Sequence, residues 1–418
     1  MPLNNLRVSS ITALWRKSCP CHSILISKAV LKNNIFGAKG KLAKERGFFV
    51  PVDLIRTVAI VGVILLHAAN DLTVQKMDWF EIIRWNTVDF YQSVGRLGVP
   101  LFLLLTSALL LQPSKLNEPL RVFFKKRLAR IGLPFIFWGV VYFAWDFLVV
   151  HNINNQPITS NSIIQGILTG PYYQFWYLYL LLGLYLLTPI LRVIMAHATR
   201  DLIKYALILW FLGASVTPVI ALVTPLHLDS NVLMITGYVG YFVLGAFLLT
   251  VQVSRSRLAL YTTTGIALTV IGTYVMAATI GGGEMFFFQG YLSPTIILAA
   301  CSLFLLLIAI RTPPSVQALQ TSSNQGKDLN LKEIGSDPPG NSRGRKLLSV
   351  ISANTLPLFL FHVMILETIQ YGYLGFAING NTLNSIVEIP LNTIITLFVT
   401  LGIILALKKV PILKKLVG

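Results

Sequence analysis

Ten apolar blocks, each of roughly 20 residues, constrain this chain more than anything else in it. A block of that length crosses a hydrocarbon core of about 30 Å as a helix. The blocks fall at about 51–70, 93–112, 132–150, 172–191, 203–223, 233–252, 258–279, 290–310, 347–370 and 388–407. Composition agrees: 55% of the side chains are hydrophobic and 12% charged, against about 25% charged in soluble domains. The expected fold is all-α, a polytopic membrane protein with ten transmembrane helices.

The 34 Lys and Arg mark sidedness. Residues 1–50 hold nine, and 114–131, 192–204, 253–257, 311–346 and 408–418 hold six, three, two, six and four. The alternate loops 151–171, 224–232, 280–289 and 371–387 hold none, and in 71–92 Lys76 and Arg84 are outnumbered by Asp71, Asp78, Glu81 and Asp89. Ten spans with both termini in the cytoplasm satisfy the positive-inside rule at every loop. The net charge of +18 is therefore topological and does not imply a nucleic-acid partner. Its neighbour is anionic membrane lipid.

Residues 1–50 form a basic tail without a continuous apolar core or cleavage site, expected to be disordered and not a cleaved signal. Residues 51–410 form the membrane domain, and 411–418 a basic C-terminal tail. Thr312 to Lys346, rich in Ser, Asn, Gly and Pro, predicts a flexible cytoplasmic linker. No soluble catalytic domain is left, so any chemistry lies within or beside the helices. Cys19, Cys21 and Cys301 give no disulfide framework. His151, His197 and His227 are scattered at helix ends and assemble no metal site. Gly281 to Gly283 reads as a turn.

The first block contains "DLIRTVAIVGVILLHAAN", with Asp53, Arg56 and His67 in an apolar run. The eleven-residue step from Arg56 to His67 is roughly three full circles plus about 20°, and Asp53 lies within about 60° of both. All three share a face. The rise puts His67 about 16 Å beyond Arg56, so one is near the cytoplasmic surface and the other in the outer half. Two readings fit: an ionisable face turned to a wet interior site, or interhelical hydrogen bonding by His67 with Arg56 snorkelling to the surface.

Three further stretches carry candidates. "FFKKRLARIGLP" places Arg127 and Arg130 three apart on one helical face, suited to gripping phosphate and equally explained as a basic inner membrane edge. In "GPYYQFWYLYLLLGLYLLTPILR", Tyr172, Tyr173, Phe175, Trp176, Tyr177 and Tyr179 form either an interfacial belt or flat surface for a sugar. "SANTLPLFLFHVMIL" carries His362, about 22 Å along a helix entering near Leu347 and close to the level of His67. The two histidines can share a pocket, or His362 can be a satisfied structural residue.

Arg56, ten residues, His67, followed by Arg127-x-x-Arg130, resembles the membrane acyltransferase-3 family. Further similarity lies in "GVPLFLLLTSALLL", "FWYLYLLLGLYLLTPIL", "GYVGYFVLGAFLL" and "NTLPLFLFHVMIL", over roughly residues 48–410. The branch it most resembles is that of the surface-polysaccharide O-acetyltransferases. The resemblance implies a multi-pass protein of the inner or plasma membrane. It would transfer an acyl group, often acetyl, from cytoplasmic acyl-CoA to a hydroxyl of a surface glycan or lipid-linked saccharide. Acyl-CoA is then a co-substrate, and no tightly bound cofactor or metal is implied. His67 matches the essential histidine, Arg56 its paired arginine, and Arg127 and Arg130 the pair associated with the CoA phosphates. By position and not by the resemblance, Asp53 would orient Arg56, and Trp176, Tyr177 and His362 are the candidates to support the substrate. Two positions depart from the pattern: Gln174 stands where relatives often have His, and Ser107-Ala108 where many have Ser-Gly. Both bear on acceptor binding.

On this reading CoA is held by the arginines, the pantetheine arm threads inward, and His67 acts as general base or carries the acyl group covalently. The competing class is a glycan exporter or flippase whose polar face lines a path.

Overall fold

The computed structural model of the protein describes residues 51–69, 79–147, 164, 166–168, 170–223, 237–311, 342–380 and 382–418. The basic tail 1–50 with Cys19 and Cys21, linker residues 312–341, His151 and His227 lie outside them. Every apolar block contains helix, and no strand occurs among the described residues.

Helix α1 (Val52–Ala68) starts after Pro51 and carries Asp53 in its first turn, where a carboxylate complements the unpaired amides. Then come α2 (Trp79–Gly95), α3 (Gly98–Leu110), α4 (Leu120–Trp145), α5 (Trp176–His197), α6 (Arg200–Phe211), α7 (Thr217–Val223) and α8 (Gly237–Leu248). The rest are α9 (Arg255–Thr279), α10 (Pro294–Arg311), α11 (Ser342–Ala353), α12 (Thr355–Gln370), α13 (Ser385–Leu407) and α14 (Pro411–Val417). Among the described residues, seven helices are long and apolar enough to cross a membrane, or eight if α11 and α12 make one bent span. By itself α1, with 17 residues, is short of that length, as is α8 with 12.

Helix α1 is the hub. It packs against α2, α3, α11, α12 and α13, and Ile55, Ala59, Ile60, Val63 and Ile64 are buried in those contacts. The tightest approach is at the α2–α3 joint. A Cβ on Gly95 would lie 2.7 Å from the Leu66 amide nitrogen, and one on Gly98 would lie 2.6 Å from the Ala59 carbonyl. Small residues are what let two helix backbones meet this closely inside a bilayer.

Three expectations about boundaries change. The second span begins at Ile82, not 93, because α2 and α3 run together as a 29-residue stretch, Ile82–Leu110. Polar residues interrupt its apolar run, yet they are buried with internal partners: Gln289 Nε2 donates to Asp89 Oδ1 at 2.6 Å, and Gln92 Nε2 to the Ala69 carbonyl at 2.7 Å. The ninth block is not one straight helix but α11 and α12, bent by 79° at Asn354. Pro357 in the first turn of α12 has no N–H to continue the ladder, which favours a helix start there. Residues 342–346 of the expected linker are the first turn of α11. The C-terminal segment is likewise helical: α14 packs on α4, and Trp138 Nε1 donates to the Val417 carbonyl at 3.2 Å.

Candidate active site

The polar face of α1 has two ends. At the first, Arg56 meets residues from α4 and α5. Arg56, Arg127 and Arg130 all act electrostatically on the Tyr185 side chain, and Arg130 and Asp53 act on Arg56. Arg127 stands 5.4 Å from the Phe123 ring centroid and 6.0 Å from that of Tyr185, and its Nε has no hydrogen-bond partner. The i, i+3 spacing on α4 and the step to α1 thus bring three guanidinium groups within electrostatic reach of one tyrosine. Asp53, exposed at the edge, is the acid beside them.

The neighbouring ends of α4 and α5 are also basic. Arg192 is buried, lies over Phe123 at 4.7 Å, and donates to the Leu110 carbonyl at 2.8 Å and to Glu118 at 3.1 Å. Lys126 pairs with Glu118 at 2.9 Å. Lys126 foremost, with Arg192, holds the Glu118 carboxyl below the ordinary carboxylate range. Charge at this end is strongly positive, which fits a multiply charged anion.

His67 sits at the other end, on the last turn of α1. Its ring centroid lies 5.3 Å from that of His362 and 5.1 Å from that of Tyr173. His67 keeps some exposed surface and Tyr173 is 47% exposed, whereas His362 is fully buried. The pair therefore has an open member and a closed one. His362 Nδ1 is 2.9 Å from the Phe359 carbonyl and 3.1 Å from that of Leu358. Carbonyl oxygens only accept, so Nδ1 carries the proton and Nε2, which has no partner, keeps its lone pair. Because of the 79° bend at Asn354, the depth of His362 does not follow from a straight helix starting near Leu347. Its approach to His67 comes instead from α12 packing directly on α1.

The aromatic stretch 172–179 is not a simple belt. Phe175 and Tyr177 are buried, and Tyr177 packs on Phe359 at 5.2 Å and Phe102 at 6.2 Å, one ring removed from His362. Trp176 is half-buried, stacked on Tyr291 at 5.6 Å and close to Tyr238 at 5.7 Å. Gln174 is buried and donates to the Leu360 carbonyl at 3.5 Å, leaving Oε1 without a partner. Ser107 joins α3 to α8: its hydroxyl donates to the Phe242 carbonyl and accepts from the Ala246 amide at 3.0 Å.

Two charged residues near His67 escaped the sequence reading. Glu367 is buried, and its carboxylate accepts from the Tyr172 hydroxyl at 2.7 Å and from Trp145 Nε1 at 3.3 Å. Tyr172 in turn lies 5.2 Å from Tyr173, ring to ring. Arg96 occupies the joint between α2 and α3, over the Tyr291 ring at 5.3 Å, and its charge acts on His67. A usable signal existed for both, since a charged residue within an apolar block marks a functional candidate. Glu367 follows directly on the stretch that ends at Leu366.

Chemically, one end suits anion binding, and the other offers an imidazole with a second imidazole and a phenol beside it, suited to moving a proton. A family model described as "Acyltransferase domain" matches residues 50–408. No curated protein and no solved structure matches the chain. The chain belongs to the acyltransferase-3 family and is a membrane acyltransferase.

Proposed function

From that membership we propose that the chain moves an acyl group, acetyl in the simplest case, from cytoplasmic acyl-CoA to a hydroxyl of a surface glycan or lipid-linked saccharide. The observation that carries this reading is the pairing of two unlike ends on one helix. Arg56 stands with Arg127 and Arg130, and His67, eleven residues and about 16 Å farther along, stands with His362 and Tyr173.

The arginines bind the phosphates of CoA. The pantetheine arm, long and thin, then runs along α1 and brings the thioester to His67. His67 accepts the proton of the acceptor hydroxyl as that oxygen attacks the carbonyl carbon. The C–S bond breaks, and the proton passes to the departing thiolate. Direct transfer needs no covalent enzyme intermediate, and a single imidazole suffices as base and then acid. Asp53 orients Arg56 from the edge of the anion site, and Trp176 with Tyr173 offers flat surface to a sugar ring.

Purified protein in lipid nanodiscs, given radiolabelled acetyl-CoA and membrane glycolipids, tests the reading. Label should appear in the glycolipid fraction with release of free CoA. Glycan crossing a bilayer with no label transferred would instead identify an exporter.

A further inference from the structure

We infer that Arg96 is a catalytic residue of the transfer: its guanidinium holds the oxyanion that forms on the acyl carbonyl as the acceptor hydroxyl adds to the thioester. This rests on the acyl-transfer reading above and adds a component to it.

Backbone geometry fixes where Arg96 can be. It lies in the short joint between α2 and α3, flanked by Gly95 and Gly98. Those two glycines touch the backbone of α1 at Leu66 and Ala59, the turns that lead up to His67. No side chain at 95 or 98 fits there, so the joint cannot drift along α1, and Arg96 is held at the level of the imidazole. Its charge acts on His67 accordingly.

Among the described residues the charge itself has no carboxylate partner, and the polar contact of the guanidinium is with the Tyr291 side chain. Arg96 Nε is buried without a hydrogen-bond partner. Its neighbour is the face of Tyr291, 5.3 Å away, which stacks on Trp176, which in turn lies beside Tyr238. Intramembrane arginines ordinarily pair with an acid or line a polar path. A guanidinium backed by aromatic rings and hydrogen-bonded to Tyr291, with its Nε unpartnered and its charge felt at His67, suits a charge that exists only during the reaction. That is the requirement for an oxyanion site: donors aimed where negative charge develops, in a place poor in water.

The step balances without any further reactant. The acceptor oxygen bonds to the carbonyl carbon, its proton moves to His67, and the carbonyl π pair becomes the oxyanion facing Arg96. That pair then re-forms the C=O bond as the C–S bond breaks, and His67 returns the proton to sulfur.

The test uses full-length protein in nanodiscs with membrane glycolipid as acceptor, and two donors, acetyl-CoA and fluoroacetyl-CoA. With acetyl-CoA, Arg96→Gln should lower kcat by about a hundred- to a thousand-fold, the range for losing an oxyanion donor, while the Kd for acetyl-CoA stays within about twofold of wild type. Arg96→Lys, which keeps charge but loses the planar fork, should fall between. Fluorine makes the carbonyl more electrophilic and less dependent on help, so the defect of either variant should shrink several-fold with fluoroacetyl-CoA. A merely structural arginine would cost both donors alike. Equal loss with both donors in Arg96→Lys, kcat within about threefold of wild type in Arg96→Gln, or loss of acetyl-CoA binding in both variants would overturn the assignment. Wild-type protein that transfers nothing from acetyl-CoA would overturn the acyl-transfer reading itself, and that result is read without any variant.

Discussion

His67 and His362 lie 5.3 Å apart, ring to ring, yet they differ in kind: the first has accessible surface, while the second is sealed in the bundle with its Nδ1 proton directed at two backbone carbonyls. Their roles should separate. His67→Ala should abolish acyl transfer and leave acetyl-CoA binding intact. His362→Phe keeps the volume but removes the unpartnered Nε2, and should lower kcat by roughly ten- to a hundred-fold with little change in Kd. Parallel measurements of binding and single-turnover transfer check both.

The three arginines within electrostatic reach of Tyr185 should act on affinity. Arg127→Ala or Arg130→Ala should each weaken acetyl-CoA binding by about ten-fold or more, as expected for losing a charge-assisted hydrogen bond worth about 1.5–3 kcal/mol. Substitution by Lys should recover only part of this, because the forked geometry is lost. Calorimetric titration with acetyl-CoA at two salt concentrations measures it, and the wild-type affinity should fall as salt rises.

Close packing of the α2–α3 joint on α1 predicts a contrast between glycines. Gly95→Ala and Gly98→Ala place a Cβ within 2.7 Å and 2.6 Å of the α1 backbone. They should lower thermal stability and activity together, at a cost of about 1–3 kcal/mol for overpacking. Gly402→Ala in α13 meets nothing within 4 Å and should be neutral or slightly stabilising, since alanine is the better helix former by about 1 kcal/mol. Unfolding of the three variants in detergent, followed by tryptophan fluorescence, decides between these outcomes.

Glu118 gives a pH prediction with a defined sign. Its carboxyl is held below the ordinary range by Lys126 first and then by Arg192. Its contribution is therefore complete above about pH 4.3, the unperturbed value, and is lost only as pH falls through the depressed one. The α3–α4 loop should be insensitive to pH from neutrality to about pH 5. Glu118→Gln should weaken the ion pair with the buried Arg192, lowering stability by roughly 1–3 kcal/mol at neutral pH and removing the acid-induced loss. Melting temperatures of both proteins between about pH 2 and pH 7 supply the check.

Periodicity and charge made much of this legible before any coordinates. Block length and basic-residue placement identified an all-α membrane protein, and the step from Arg56 to His67 put two unlike groups on one face. Residues whose role depends on tertiary contact were not legible. Tyr177 and Phe175 look like belt aromatics until packing turns them inward. Asp89 and Gln92 ended an apolar run in one dimension, although in three they are buried and hydrogen-bonded. The 79° bend could not be read from hydropathy, because both arms are apolar and the change is in backbone direction. Arg96 was hidden by its neighbours: the glycines that place it mean nothing until the helix they press against is known.

The bend at Asn354 has a mechanical consequence. Helix α11 is tied to α1 where the Thr57 hydroxyl, next to Arg56, donates to the Leu348 carbonyl at 3.4 Å. Helix α12 returns to the same α1 at the other end, where His362 meets His67. At the corner, Lys408 Nζ donates to Asn354 Oδ1 at 2.8 Å. The three helices form a triangulated frame with α1 as its long side, and a triangle, unlike a single rod, cannot flex without straining a corner. The interval between arginine and histidine is therefore braced, as a reach of fixed length requires.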